Sequence, residues 1–145
     1  VEKRGNEVTI KKMSQMGGTA LMKTALVAYM EGVRDGFMPG RWSLVGWDSE
    51  AHYAVNPEGE AIGLLAFRVD NGSEAFITFG WTREDHRRQG VYAALFESVC
   101  EDLRGRGQVQ RIIGSIHPGN TAALRAAAQM GRTAVSVTYE MELQA

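Results

Sequence analysis

The chain has 145 residues, 44% of them apolar and 23% charged, with a formal net charge of -1. This is an ordinary globular composition, so one domain over residues 1–145 with a single core is expected. The near-balance of charge excludes a general attraction to nucleic acid or to a membrane surface, so any anion has to be held by a local site. One cysteine, Cys100, rules out an intramolecular disulfide and suits a reducing cytoplasm. No apolar run approaches the roughly 18 residues of a membrane span.

Val8 and Ile10 alternate with Thr9 and Lys11, which predicts a short half-buried strand over 7–12. Residues 19–36 carry Leu21, Ala25, Ala28, Tyr29 and Val33 as one apolar stripe, a helix stopped by Gly36. Residues 37–50 hold Pro39, Gly40 and Gly46 and read as irregular. Trp42, Trp47, Asp48 and Glu50 in that stretch suit an amine-bearing ligand, with core cover as the alternative for the tryptophans. Strands at 52–55, 60–70 and 74–82, joined by the turns "NPEG" and "NGS", predict an antiparallel meander. In the third of these, Ala75, Ile77, Phe79 and Trp81 are expected on one face.

A helix follows over 90–105, with Val91, Leu95, Phe96, Val99, Cys100 and Leu103 at spacings of three and four. Cys100 on that stripe reads as packing and not as a nucleophile. A strand at 109–116, a helix at 120–130 capped by Asn120 and stopped by Gly131, and a strand at 134–143 complete the order. The last strand alternates strictly, Val135, Val137, Tyr139, Met141 and Leu143 against Ser136, Thr138, Glu140 and Glu142. The strand–helix–strand unit over 74–116 requires a parallel pair with a right-handed crossover. The expected class is α+β, with a mixed, mostly antiparallel sheet of about six to seven strands and helices on both faces.

Three basic residues, His86, Arg87 and Arg88, stand just before the helix at 90, followed by Gln89 and Gly90. A helix N-terminus offers free N–H groups and partial positive charge, and a glycine lets a ligand approach the backbone. Together these features suit a phosphate; a solvated basic loop is the alternative.

"RRQGVY" at 87–92 resembles the coenzyme pyrophosphate motif of the GNAT N-acetyltransferase superfamily: Arg or Gln, two residues, Gly, one residue, then Gly or Ala. Arg87 and Gly90 match it, and Tyr92 departs from it. "NTAALRAAAQMG" at 120–131 is similar to the family's downstream pattern through Asn120, Ala123 and Gly131. The resemblance implies the GNAT-like fold, with a parallel strand pair that splays at the coenzyme site. It also implies acetyl-CoA as co-substrate. Gly80, Trp81 and Thr82 would meet the pantetheine, Arg87, Arg88, Gln89, Gly90, Val91 and Tyr92 the pyrophosphate, and Asn120 the far part of the coenzyme or the acceptor. Ala127 replaces the tyrosine that often protonates the departing thiolate, so the general acid is unassigned.

Amine acylation needs a neutral amine, and Glu74 and His117 are the candidate bases. Solvated roles are the alternative for both, as for Glu140 and Glu142. The three histidines show no metal-ligand spacing. The expected function is N-acetyl transfer from acetyl-CoA to a primary amine, on a small molecule or a protein, by direct attack in a ternary complex. A coenzyme-binding module without efficient catalysis is the alternative. A nucleic-acid role for 83–88 with Arg104, Arg106 and Arg111 is opposed by the acids interleaved with them. A homodimer is compatible with the sequence, and a cytoplasmic location is expected.

Overall fold

The computed structural model describes residues 8–36 and 48–143. The chain divides into two compact units, residues 1–115 and 116–145. The first unit contains β1 (Thr9–Met13), α1 (Ala20–Arg34), β2 (Glu50–Val55), β3 (Ala61–Asp70), β4 (Glu74–Thr82), α2 (Val91–Arg106) and β5 (Arg111–Ile113). A single 3-10 turn, Glu84–His86, joins β4 to α2. The second unit contains α3 (Thr121–Gln129).

The strands form one five-stranded sheet in the order β1-β2-β3-β4-β5. β1 to β4 pair antiparallel, and β4 pairs parallel with β5. Short turns allow the antiparallel pairs, and the parallel pair needs the α2 crossover. The mixed α+β architecture is thus as expected, but among the described residues the sheet has five strands and not six to seven. Residues 134–143 form no strand, and the strand expected over 109–116 shortens to three residues.

Each face of the sheet carries a helix. α1 packs Leu21, Met22, Ala25, Ala28 and Tyr29 onto Ala51, Leu64, Ala66 and Phe79. α2 packs Val91, Leu95, Val99 and Leu103 onto Ala54, Ile62, Leu65, Phe67 and Ala75. Every fourth residue of α2 is therefore buried, as the apolar stripe requires. Phe96 and Cys100 flank that stripe and are half-buried.

The register corrects one expectation. Phe67 pairs with Ile77 and Ala66 with Phe79, so Thr78 is an extra residue in β4. That bulge turns the strand over. Ala75 and Ile77 pack on the α2 side, whereas Phe79 and Trp81 pack on the α1 side. The four residues do not share one face.

Candidate active site

The parallel pairing is short. Glu74, Ala75 and Phe76 pair with Arg111, Ile112 and Ile113, and there the ladder ends. From Ile77 to Thr82, β4 stays bonded to β3 but has no ladder toward β5. A strand with one unpaired edge in the middle of a sheet can accept an extended polar chain. Two side chains at that strand end also carry buried polar atoms, Trp81 Nε1 and Thr82 Oγ1, that meet no partner among the described residues. Buried polar groups are normally satisfied, so both atoms keep hydrogen-bonding capacity unused among the described residues.

The N-terminus of α2 is anchored to the same strand end. Arg87 Nε donates to Thr82 O at 2.7 Å. A Cβ placed on Gly80 would lie 3.0 Å from Tyr92 Cε1, so the Tyr92 ring rests directly on the glycine. Val91 uses a second notch, 2.9 Å from the Cβ position of Gly63 on β3. Two glycines in adjacent strands thus admit the first turn of α2.

The turn itself is organised by Asp85. Its carboxylate accepts from Arg83 Nε at 2.8 Å and from His86 Nδ1 at 2.8 Å. Those hydrogen bonds, Arg83 first, pull the Asp85 carboxyl down to about 2. Gln89 Nε2 donates to Asp85 O at 3.3 Å. His86, Arg87 and Gln89 are therefore committed within the turn, and Arg88 is exposed. Arg88 and Gly90 both have left-handed backbones, φ 64° and 82°, a conformation that occurs in the turns whose successive N–H groups can meet an anion. Gly90 is the N-cap of α2 and supplies no side-chain cap. Nothing lies within 4 Å of its Cβ position. The N–H groups of the first helical turn, Val91 and Tyr92 among them, have no intrahelical acceptor.

Glu74 lies at the far end of β4, six residues before Gly80, or about 20 Å along the strand. It pairs with Arg111, Nε to Oε2 at 3.1 Å. His117 and Asn120 belong to the second unit. There His117 Nδ1 accepts from Gly119 N at 2.9 Å. Asn120 Oδ1 accepts from Ala123 N at 3.1 Å, which makes it the N-cap of α3 as expected. Trp42 and Trp47 lie outside the described residues. Asp48 is exposed, and Glu50 binds Arg106 at 2.6 Å.

Two features were not anticipated. The first is a cleft of about 700 Å³ bounded by Met13, Val27, Tyr53 and Trp81, with the carboxylates of Glu31 and Glu60 and the guanidinium of Arg83. Hydrogen bonds from Asn56 and then Arg83 lower the Glu60 carboxyl, which keeps it anionic. The second is a polar clasp between β2 and α2. Buried His52 meets Ser98 Oγ at 2.8 Å through Nδ1 and Asp102 Oδ2 at 3.0 Å through Nε2. Arg106 then joins Asp102 to Glu50 and lies 5.8 Å over the Phe67 ring. Ser98, Asp102 and Arg106 recur every four residues, a polar ridge visible in the sequence beside the apolar one.

The acetyltransferase (GNAT) family model matches residues 29–131. No curated protein matches the chain. Among solved structures, an aminoglycoside acetyltransferase from an uncultured soil metagenomic sample is 22% identical, with 95% of this chain and 99% of that one covered and a TM-score of 0.70. The aminoglycoside N-acetyltransferase AAC(6')-Iy in complex with CoA is 20% identical, with coverage of 99% and 100% and a TM-score of 0.61. The ribosomal-protein-alanine N-acetyltransferase from Brucella melitensis is 16% identical, with coverage of 94% and 100% and a TM-score of 0.65. These structures share the fold. The family match spans well over half of the sequence: the chain belongs to the GNAT acetyltransferase family.

Proposed function

We propose that the chain moves an acetyl group from acetyl-CoA to a primary amine by direct attack in a ternary complex, with both units working as one domain. The observation that carries this reading is the docking of the first turn of α2, through Tyr92 on Gly80, against a strand end with an open edge. The Arg88–Tyr92 backbone, with N–H groups and helix dipole, would hold the pyrophosphate. Gly80, Trp81 and Thr82 would hydrogen-bond the pantetheine arm and offer donors to the tetrahedral oxyanion. Asn120 would meet the far part of the coenzyme or the acceptor.

The acceptor would enter the cleft beside Trp81. Its apolar and aromatic lining with Glu31 and Glu60 suits an organic cation. Amines on small molecules such as aminoglycosides, and amines on proteins, both fit that chemistry. Glu60, held anionic, would bind an ammonium and would be a weak base. Glu74 is committed to Arg111 at the other end of β4, so His117 is the candidate base to be tested. The thiolate leaves without a tyrosine at Ala127; its own acidity allows this, with water as proton source.

Thiol release from acetyl-CoA over a panel of small amines, aminoglycosides and peptide N-termini tests this function. Turnover with at least one acceptor is expected. Saturable coenzyme binding with no transfer to any of them would instead favour a binding module, the reading that Ala127 motivates.

A further inference from the structure

Tyr92 stands where the pyrophosphate motif takes a glycine or an alanine, and the sheet makes room for its side chain. A Cβ at Gly80 would meet Tyr92 Cε1 at 3.0 Å and Tyr92 Oη at 3.7 Å. The ring therefore fills the layer that a β4 side chain would occupy, and its hydroxyl is held beside the backbone of Gly80. Phe96, one helical turn on, backs the ring, with the two centroids 6.2 Å apart. Both residues are half-buried, so the phenol is braced without being sealed off. All of these residues lie in the first compact unit.

Tyr92 thus reaches both halves of the proposed coenzyme site. Its amide belongs to the first turn of α2, where N–H groups have no intrahelical acceptor. Its hydroxyl reaches the part of β4 that runs on past the parallel ladder, which ends at Phe76. A coenzyme with its pyrophosphate at the first and its pantetheine arm along the second has to pass the Tyr92 ring. The arm consists of amides joined by methylene groups. A phenol suits both, with a donor for an amide carbonyl and an apolar ring for the methylenes.

We propose that the Tyr92 side chain binds the pantetheine arm: its hydroxyl donates a hydrogen bond to an amide carbonyl of the arm, and its ring packs against the neighbouring methylenes beside Gly80. The inference rests on the reading of β4 and α2 as the coenzyme site. It adds a contact that a glycine or an alanine at position 92 cannot make.

Calorimetry on the full chain with acetyl-CoA, and with ADP, which keeps a pyrophosphate and lacks the arm, tests it. Tyr92→Phe keeps the ring and removes the hydroxyl. It should weaken acetyl-CoA about tenfold, the loss of one buried hydrogen bond, and leave ADP within about twofold. Nuclear magnetic resonance on the unmodified protein with isotope-labelled tyrosine rings gives a second reading. The Tyr92 signal, assigned by its absence from Tyr92→Phe, should shift with acetyl-CoA and not with ADP. Equal affinity of Tyr92→Phe and the unmodified chain for acetyl-CoA would overturn the inference and leave the coenzyme site standing. A matching loss for both ligands would overturn it too, because a side chain that only seats the helix disturbs the pyrophosphate as much as the arm. An unmodified chain that binds no acetyl-CoA would overturn the coenzyme site itself, and this inference with it.

Discussion

Gly80 and Tyr92 form a matched pair. A methyl group at Gly80 would press on Tyr92 Cε1 at 3.0 Å and on Leu65 Cδ1 at 3.3 Å. Leu65 is fully buried and cannot give way, so the ring has to move. Gly80→Ala should cost about 1–3 kcal/mol. Adding Tyr92→Ala should return part of that loss. Denaturant melts of the two single variants and the double variant measure the coupling, and strictly additive costs would mean that ring and glycine do not meet. The motif comparison alone could not show why a large residue stands at position 92. The structure places its side chain on the sheet, while its amide remains part of the helix N-terminus.

His52 makes a pH prediction at the same scale. Burial lowers its pKa, against the opposing hydrogen bond that its Nε2 makes to the Asp102 carboxylate. Asp102 is itself pushed up by burial, but hydrogen bonds from Arg106 and His52 outweigh that and hold it below its usual range. Lys12 and Glu50 are the other charges that act on the imidazole. The folded protein therefore binds the His52 proton less readily than the unfolded chain. Stability from this group is complete above the unfolded value of about 6.5 and falls as the pH drops below it toward the folded pKa. Urea titrations between pH 7.5 and 5 should show that slope, and His52→Gln should flatten it. His52→Ala should cost about 2–4 kcal/mol, because it strands Ser98 and Asp102.

α2 is the element on which the site depends, and most of it was legible in the sequence. Its apolar residues recur at three and four, and that periodicity alone gives its buried face. β4 was legible too, in its bounds though not in its facing. The bulge at Thr78 leaves no sequence mark, because an inserted residue changes only which neighbour each side chain meets. The clasp was missed for a related reason. Ser98, Asp102 and Arg106 are visible as a ridge, but the partner, His52, comes from a strand about fifty residues earlier. The role of Gly90 belongs at this scale as well. Its left-handed backbone, φ 82°, and open surroundings make Gly90→Glu strained, bulky and negative at the helix N-terminus. We expect that change to weaken acetyl-CoA binding at least a hundredfold, with the circular dichroism spectrum retained. Unchanged affinity in a calorimetric titration would place the pyrophosphate elsewhere.

At the scale of the molecule, chain order predicted the mixed sheet and its parallel pair. The count of strands was too high because alternation reports a strand's appetite for an edge, not the presence of one. Residues 134–143 alternate strictly and form no strand among the described residues. The near-zero net charge likewise leaves anion binding to one local site. No helix among the described residues is long and apolar enough to cross a membrane. In the proposed function, the open edge of β4 and the first turn of α2 together hold the coenzyme. Calorimetric titration of the full chain with acetyl-CoA tests it most directly. Saturable one-to-one binding at submillimolar concentration is predicted, and no saturable heat in that range would contradict it.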